Sequence, residues 1–79
     1  MASGVDPGRY SARLAEASAL RNAGRVAEAI AAYRDVLAIE PALPDSWYNL
    51  AWLLRRNAQQ EAALEAYDEA LRRGIAEPE

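Results

Sequence analysis

Apolar residues recur along this chain at the three-to-four-residue spacing of amphipathic α-helices. Gly24 interrupts the pattern once, and Pro41 and Pro44 bracket a short turn further on, because proline cannot continue a helix. The pattern predicts four helices, over residues 9–22, 26–39, 45–57 and 60–73. No segment has the strict alternation of a strand, so the sequence predicts an all-α fold.

The chain also repeats itself with a period of 34 residues, so that residues 10–43 align with residues 44–77. The aligned pairs are Ala17 with Ala51, Leu20 with Leu54, Ala29 with Ala63, Tyr33 with Tyr67, and Leu37 with Leu71. A fixed period of this length indicates stacked units, each burying its apolar face against its neighbour. The small residues at the matched alanine positions favour close approach of the helix axes.

Both repeats carry an ordered set of side chains that points to a known family. The second repeat has Trp47, Leu50, Ala51, Leu54, Ala63, Tyr67 and Ala70. The first has Ala17, Leu20, Gly24, Ala29, Tyr33, Val36 and Pro41. This order resembles the tetratricopeptide repeat family, whose unit is a helix–turn–helix. The resemblance implies four antiparallel helices in two units, which form a short right-handed α-superhelix.

The chain departs from the family pattern at four positions. Arg13 lies where Trp is expected, and Glu16 lies where Leu is expected. In the second unit, Ala58 replaces the Gly of the turn and Ile75 replaces the closing Pro. The first helix of the first unit therefore matches the family least well.

The repeat register suggests the domain limits. Residues 1–8 are predicted to be a flexible lead-in, and residues 9–77 to form one repeat domain with units at 10–43 and 44–77. Pro78 and Glu79 lie one period after Pro44 and Asp45, so residues 78–79 are interpreted as the start of a truncated third unit.

Composition excludes several kinds of chemistry. The 79 residues contain no Cys, His or Lys, and all nine cations are Arg. Thiolate metal sites, imidazole catalysis and Schiff-base lysines are therefore absent. The net charge of −3 argues against nucleic-acid binding. There is no run of about 20 apolar residues to span a membrane and no signal-like segment, so we expect a cytoplasmic protein. The Arg-only, Ala-rich composition hints at a GC-rich bacterial source.

The residues that remain offer little for catalysis. The serines, such as Ser18 and Ser46, have no His to activate them. The carboxylates, such as Glu65 and Glu69, have the spacing of a solvated helix surface rather than of a convergent acid–base pair. We therefore expect no enzymatic activity, no metal and no cofactor.

The family resemblance implies a concave groove, lined by the first helix of each unit, that binds a peptide or partner protein. The corresponding residues are Ser11, Leu14, Ser18, Arg21, Asn22, Asp45, Tyr48, Trp52, Arg55 and Arg56. Arg21 and Arg55 share a register and are expected to form a ladder suited to carboxylates. Tyr48 and Trp52 are four residues apart and offer rigid rings of the type found at interface hot spots. A partner with an acidic group and an apolar anchor is expected.

The two tryptophans are expected to face different ways, because five residues rotate a helix by about 140° from the starting direction. Trp47 is interpreted as a core residue, in line with the family pattern. Trp52 then either contacts a ligand or partner or packs against an adjacent helix.

The last helix is expected to leave Leu64, Tyr67 and Leu71 partly uncovered. Either the chain is a fragment of a longer array, or it is a short protein that covers this face by self-association. Three functions follow: a scaffold for protein–protein interaction, a non-catalytic repeat segment of a larger bacterial enzyme such as a transferase, or a self-associating unit.

Overall fold

The computed structural model describes residues 7–74 of the chain. Over this range it contains a short 3-10 helix and four α-helices, and no strand. The helices are α1 (Ser11–Asn22), α2 (Val26–Ile39), α3 (Pro44–Arg56) and α4 (Gln60–Arg72). The predicted all-α, tetratricopeptide-type fold is confirmed. Ile75, the proposed third unit at 78–79 and most of the predicted lead-in lie outside the described residues.

The helix limits agree with the sequence pattern to within two residues. The largest difference is at the first helix, because Pro7–Arg9 forms a 3-10 turn and α1 begins only at Ser11. The backbone N–H of Tyr10 donates to the carbonyl of Pro7 across 3.2 Å and closes that turn. Proline at the start of the turn has its φ already set near the helical value.

The helices pack in sequence order. α1 packs against α2, α2 against α3, and α3 against α4. We refer to α1 and α2 as unit 1 and to α3 and α4 as unit 2. The interior helices α2 and α3 therefore each have two main neighbours, whereas α4 packs mainly against α3.

One buried cluster runs through both units. Its fully buried larger side chains are Tyr33, Leu53 and Leu54, and Val36 is also fully buried. Alanines fill the points where helices approach closely, and Ala17 and Ala29 have no exposed surface. A small side chain is needed there because a longer one would force the helices apart.

The turn within each unit has the same hydrogen-bond pattern. In unit 1, the backbone N–H of Gly24 donates to the backbone carbonyl of Arg21, and that of Arg25 donates to the backbone carbonyl of Leu20. In unit 2, the corresponding bonds run from Ala58 to Arg55 and from Gln59 to Leu54. This is the Schellman arrangement, which requires a left-handed residue after the helix. Gly24 has φ +78° and Ala58 has φ +60°.

Ala58→Gly is expected to raise the free energy of unfolding by about 0.5–1 kcal/mol, because glycine adopts positive φ without the steric cost that alanine carries. Urea unfolding followed by circular dichroism measures the change. Gly24→Ala is the reverse substitution at the matched position and should lower stability by a similar amount. A Cβ at Gly24 would meet nothing within 4 Å, so the effect there is one of backbone conformation alone. A destabilising Ala58→Gly would contradict this account.

The link between the units is fixed by Trp47. Its indole N–H donates to the carbonyl of Pro41 across 2.7 Å, and its ring packs against the buried cluster while staying partly exposed. Pro44 is the first residue of α3, where no backbone N–H is required. The tryptophan predicted to be a core residue thus lies at the edge of the core and ties down the loop.

In unit 1, the position equivalent to Trp47 is occupied by Arg13, which forms ion pairs instead of an indole contact. Its guanidinium lies 2.7 Å from the carboxylate of Asp35 on α2 and 2.8 Å from that of Glu16. The pKa of Arg13 is raised by its hydrogen bonds to Glu16 and to Asp35. A charged bridge between α1 and α2 therefore stands where unit 2 has an indole ring, which accounts for the departure of α1 from the family pattern.

Candidate functional site

Four of the five unit 1 side chains predicted to line a groove make contacts within the chain, whereas Ser11 is exposed. Leu14 is half-buried against the core. Ser18 shares a 3.3 Å hydrogen bond with the hydroxyl of Tyr33. Arg21 donates to the same hydroxyl across 3.3 Å and to Asn49 Oδ1 across 2.7 Å. These contacts hold α1 to α2 and to α3.

Asn22 and Arg21 complete this engaged region. The guanidinium of Arg21 donates to the side-chain oxygen Oδ1 of Asn22 at 3.2 and 3.3 Å. Arg21 is thus a bridge between the two units, which differs from the predicted ladder in which Arg21 and Arg55 both turn toward a ligand. Sequence register alone could not foresee this, because the acceptor Asn49 has no polar counterpart in unit 1, where Ala15 lies in its place.

The unit 2 side chains instead line a cavity between α3 and α4 of about 520 Å³. We call it the hollow. Its walls are Tyr48, Ala51, Trp52, Arg55, Gln60, Ala63, Leu64 and Tyr67. The three large apolar side chains most exposed in residues 7–74 are Tyr48 at 40%, Trp52 at 45% and Leu64 at 66%, and all three belong to it. Exposed apolar surface concentrated in one concavity is typical of an interaction site.

Each aromatic ring of the hollow contacts a neighbouring side chain. The Tyr48 and Tyr67 rings lie 6.0 Å apart and are tilted by 53°. The Arg56 guanidinium lies 4.9 Å from the centre of the Trp52 ring, within cation–π distance. Rings restrained in this way lose little conformational entropy when they contact a partner.

The hollow joins two sets of residues that the sequence had suggested separately. Tyr48, Trp52 and Arg55 came from the predicted groove, whereas Leu64 and Tyr67 came from the predicted self-association face. Leu71 is half-buried and does not line the hollow. Gln60, Ala51 and Ala63 were not predicted as site residues, and the 34-residue register could not indicate them, because their counterparts Val26, Ala17 and Ala29 were not groove residues either.

Arg55 is the charged residue among the walls of the hollow. Its guanidinium makes no hydrogen bond or ion pair with another residue of the described range 7–74. Arg56 beside it is exposed, and its guanidinium lies over the Trp52 ring. The Asp45 carboxylate lies at the other end of α3 and is exposed. An acidic group brought to the rim of the hollow would therefore meet two cations.

A cluster of metal-binding side chains is not seen between residues 7 and 74. No group of three or more carboxylates that could hold a metal occurs in that range. Every buried side-chain polar atom there has a hydrogen-bond partner. No helix of the described range is both long and apolar enough to cross a membrane.

Paired helices stacked at a fixed sequence period define the class of α-helical repeat proteins. A comparison with protein families matches the description "Tetratricopeptide repeat" over residues 2–44 and again over residues 14–78. The chain belongs to the tetratricopeptide repeat family. No curated protein and no solved structure matches the chain significantly. Repeats of this family generally act as non-catalytic scaffolds for protein–protein interaction.

Proposed function

We propose that this chain is a protein-interaction module that binds an apolar segment of a partner protein in the hollow. The observation that carries the proposal is the shared location of Tyr48, Trp52 and Leu64, the three most exposed large apolar side chains of the described range. Leaving such surface in water is unfavourable by roughly 25 cal/mol per Å² of apolar area. A partner that covers the hollow recovers that free energy.

The side chains of the hollow also suggest the chemistry of the partner. Tyrosine, tryptophan and arginine are the residue types enriched at binding hot spots. Trp52 and Tyr48 offer flat apolar walls, and Arg55 offers donors that suit a carboxylate or an amide oxygen. The preferred partner therefore combines an apolar anchor with an adjacent acceptor, acidic or amide. The unit 1 residue Arg21 contributes indirectly, by its hydrogen bond to Asn49 of α3, and Ser18 does so by its hydrogen bond to Tyr33 of α2.

A second copy of the chain is the alternative partner. Leu64 and Tyr67 are the apolar residues of α4 that line the hollow, and a copy that covered them would form an oligomer. Sedimentation equilibrium across a range of concentrations separates the two cases. A monomer at all concentrations favours a different protein, whereas a discrete oligomer that Leu64→Glu disrupts would make self-association the function.

A peptide library displayed on phage and selected against the immobilised chain tests the proposal. We expect enriched peptides whose affinity falls by at least about tenfold for Leu64→Glu, because a buried carboxylate in an apolar contact is unfavourable. Leu64 is exposed and glutamate favours helix nearly as well as leucine, so the fold is retained.

Ala31→Glu is the matched control. Ala31 is an exposed residue of α2 outside the hollow, and Glu65 already occupies the equivalent position of unit 2. The enriched peptides should bind this variant as tightly as the wild-type chain. Failure to enrich any peptide, or equal losses in the two variants, would contradict the proposed function.

A further inference from the structure

We infer that the occupant of the hollow is an α-helix of the partner protein that packs on unit 2 as α3 packs on unit 1, with a side-chain oxygen placed to accept from Arg55. This inference rests on the proposed function and names the kind of segment that fills the site. It follows from the internal repeat, because unit 1 has the equivalent surface and α3 packs on it.

The walls of the hollow have counterparts in unit 1. One period earlier in the chain they correspond to Leu14, Ala17, Ser18, Arg21, Val26, Ala29, Ile30 and Tyr33. These side chains lie on α1 and α2, at the same places that the walls occupy on α3 and α4. In unit 1, α3 packs against the α2 part of this surface and accepts a hydrogen bond from Arg21 on the α1 part. The same surface is repeated in unit 2 and is left uncovered within the described range.

Exposure supports this equivalence. Ile30 is 4% exposed in unit 1, whereas its counterpart Leu64 is 66% exposed. Tyr33 is 1% exposed, whereas its counterpart Tyr67 is only half-buried. α3 packs against α2 and contributes Leu50 and Leu53 to the same buried cluster. A helix on unit 2 would bury Leu64 and Tyr67 in the same way.

The arginine of each unit provides the second line of argument. Arg21 donates to Asn49 Oδ1 on α3 across 2.7 Å. Asn49 in turn donates from its Nδ2 to the backbone carbonyl of Asp45 across 3.0 Å, which leaves its oxygen directed at Arg21. Arg55 occupies the same register in unit 2 without an acceptor in the described residues. The missing partner of Arg55 is thus an amide or carboxylate oxygen on the incoming segment.

A helix suits this surface better than an extended segment. The hollow lies between α3 and α4, whose backbone N–H and C=O groups are bonded within their own helices. An extended peptide would find no backbone partners there, and its own polar groups would lose water without replacement. A helix satisfies its backbone internally and offers apolar side chains at intervals of three and four residues.

The occupant should follow the pattern of the α3 face that covers unit 1. That face has a small residue at Ser46, an acceptor at Asn49, and leucines at positions 50 and 53. The spacing is that of one side of a helix. We expect a partner helix that carries, in this order along one face, a small residue, an amide or acidic residue, and two branched apolar residues.

A fluorescein-labelled peptide with the sequence of residues 44–56 tests the inference against the full chain by fluorescence anisotropy. It carries Tyr48→Glu and Trp52→Lys, which make its outer face polar and allow a lactam bridge to hold the helix. We expect the peptide with the lactam bridge to bind more tightly than the same peptide without it, because the bridged peptide is already helical before it binds. Binding should weaken at least about tenfold when the chain carries Leu64→Glu.

The predicted hydrogen bond between Arg55 and an acceptor on the bound helix is tested by combining a substitution in the peptide with a substitution in the chain. Asn49→Ala in the peptide is expected to weaken binding to the wild-type chain about tenfold, the loss of one hydrogen bond to a charged donor. The same peptide change should have little effect on a chain with Arg55→Ala. A chain with Arg56→Ala, the neighbouring cation, should respond to the peptide change as the wild-type chain does.

The outcomes separate this inference from the proposed function. If phage-selected peptides require the hollow but the bridged helix does not bind, the interaction module stands and the helical occupant is wrong. If the helix binds but Asn49→Ala weakens binding equally with and without Arg55, the predicted acceptor contact is wrong. If the helix binds Leu64→Glu as tightly as the wild-type chain, it lies outside the hollow and the inference is overturned.

Discussion

Leu53→Ala is expected to lower the free energy of unfolding by about 3 kcal/mol, within the range of roughly 2–5 kcal/mol for a buried leucine. Leu53 has no exposed surface and lies in the buried cluster that includes Ala17 of α1, Ile30 of α2 and Ala66 of α4. The loss combines the transfer free energy of the missing groups with that of the cavity left behind. A chain of this size has a total stability of only roughly 4–12 kcal/mol.

Thermal unfolding followed by circular dichroism measures this effect, which should appear as a fall in Tm of roughly 12–24 °C. Leu64→Ala removes the same groups from a side chain that is 66% exposed. It should change stability by less than about 0.5 kcal/mol. Equal effects at the two positions would mean that the leucine of α3 does not join the two units.

Ala29→Leu is expected to destabilise the chain by about 2 kcal/mol, because there is no room for a longer side chain where Ala29 is fully buried. Either the closely packed helices must then separate, or the new leucine and its neighbours must adopt unfavourable rotamers. Urea unfolding measures the change in free energy. The substitution tests whether the repeated alanines are needed for close helix packing rather than for helix propensity.

Ala31→Leu gives the matched control on the same helix. Ala31 is exposed, so the same change in intrinsic helix propensity occurs there without crowding. Its effect should stay within about 0.5 kcal/mol. If both variants lose stability equally, the cost at Ala29 reflects propensity, and the crowding argument fails.

Much of the fold could be predicted from the spacing of apolar residues and the internal period. Both signals depend on local geometry: a helix repeats its faces every three to four residues, and Gly24 or Pro44 marks its ends. The period also related Tyr33 to Tyr67 and so placed them at equivalent positions. The periodic pattern placed the start of the first helix at residue 9, because a 3-10 turn as short as Pro7–Arg9 has no periodic pattern of its own.

The candidate site was harder to predict, because it depends on which way individual side chains turn. The period pairs Arg21 with Arg55, yet Arg21 is bound to Asn49, a residue with no polar equivalent in unit 1. Trp47 was expected inside the unit, but its indole N–H binds a loop carbonyl, and this keeps the ring at the edge. Such contacts are set by single polar acceptors, which a repeat pattern does not specify.

The position of α4 at the end of the stack also bears on local motion. Within the described residues, α2 and α3 each pack against two helices, whereas α1 and α4 each have one main helical neighbour. In a linear array, stability is close to a sum of nearest-neighbour interactions, so the helices at the two ends of the stack open first. Hydrogen exchange should accordingly be faster in the amides of α1 and α4 than in those of α2 and α3. A helix bound beside α4 would slow that fraying, so recognition and local stability are coupled through the same surface.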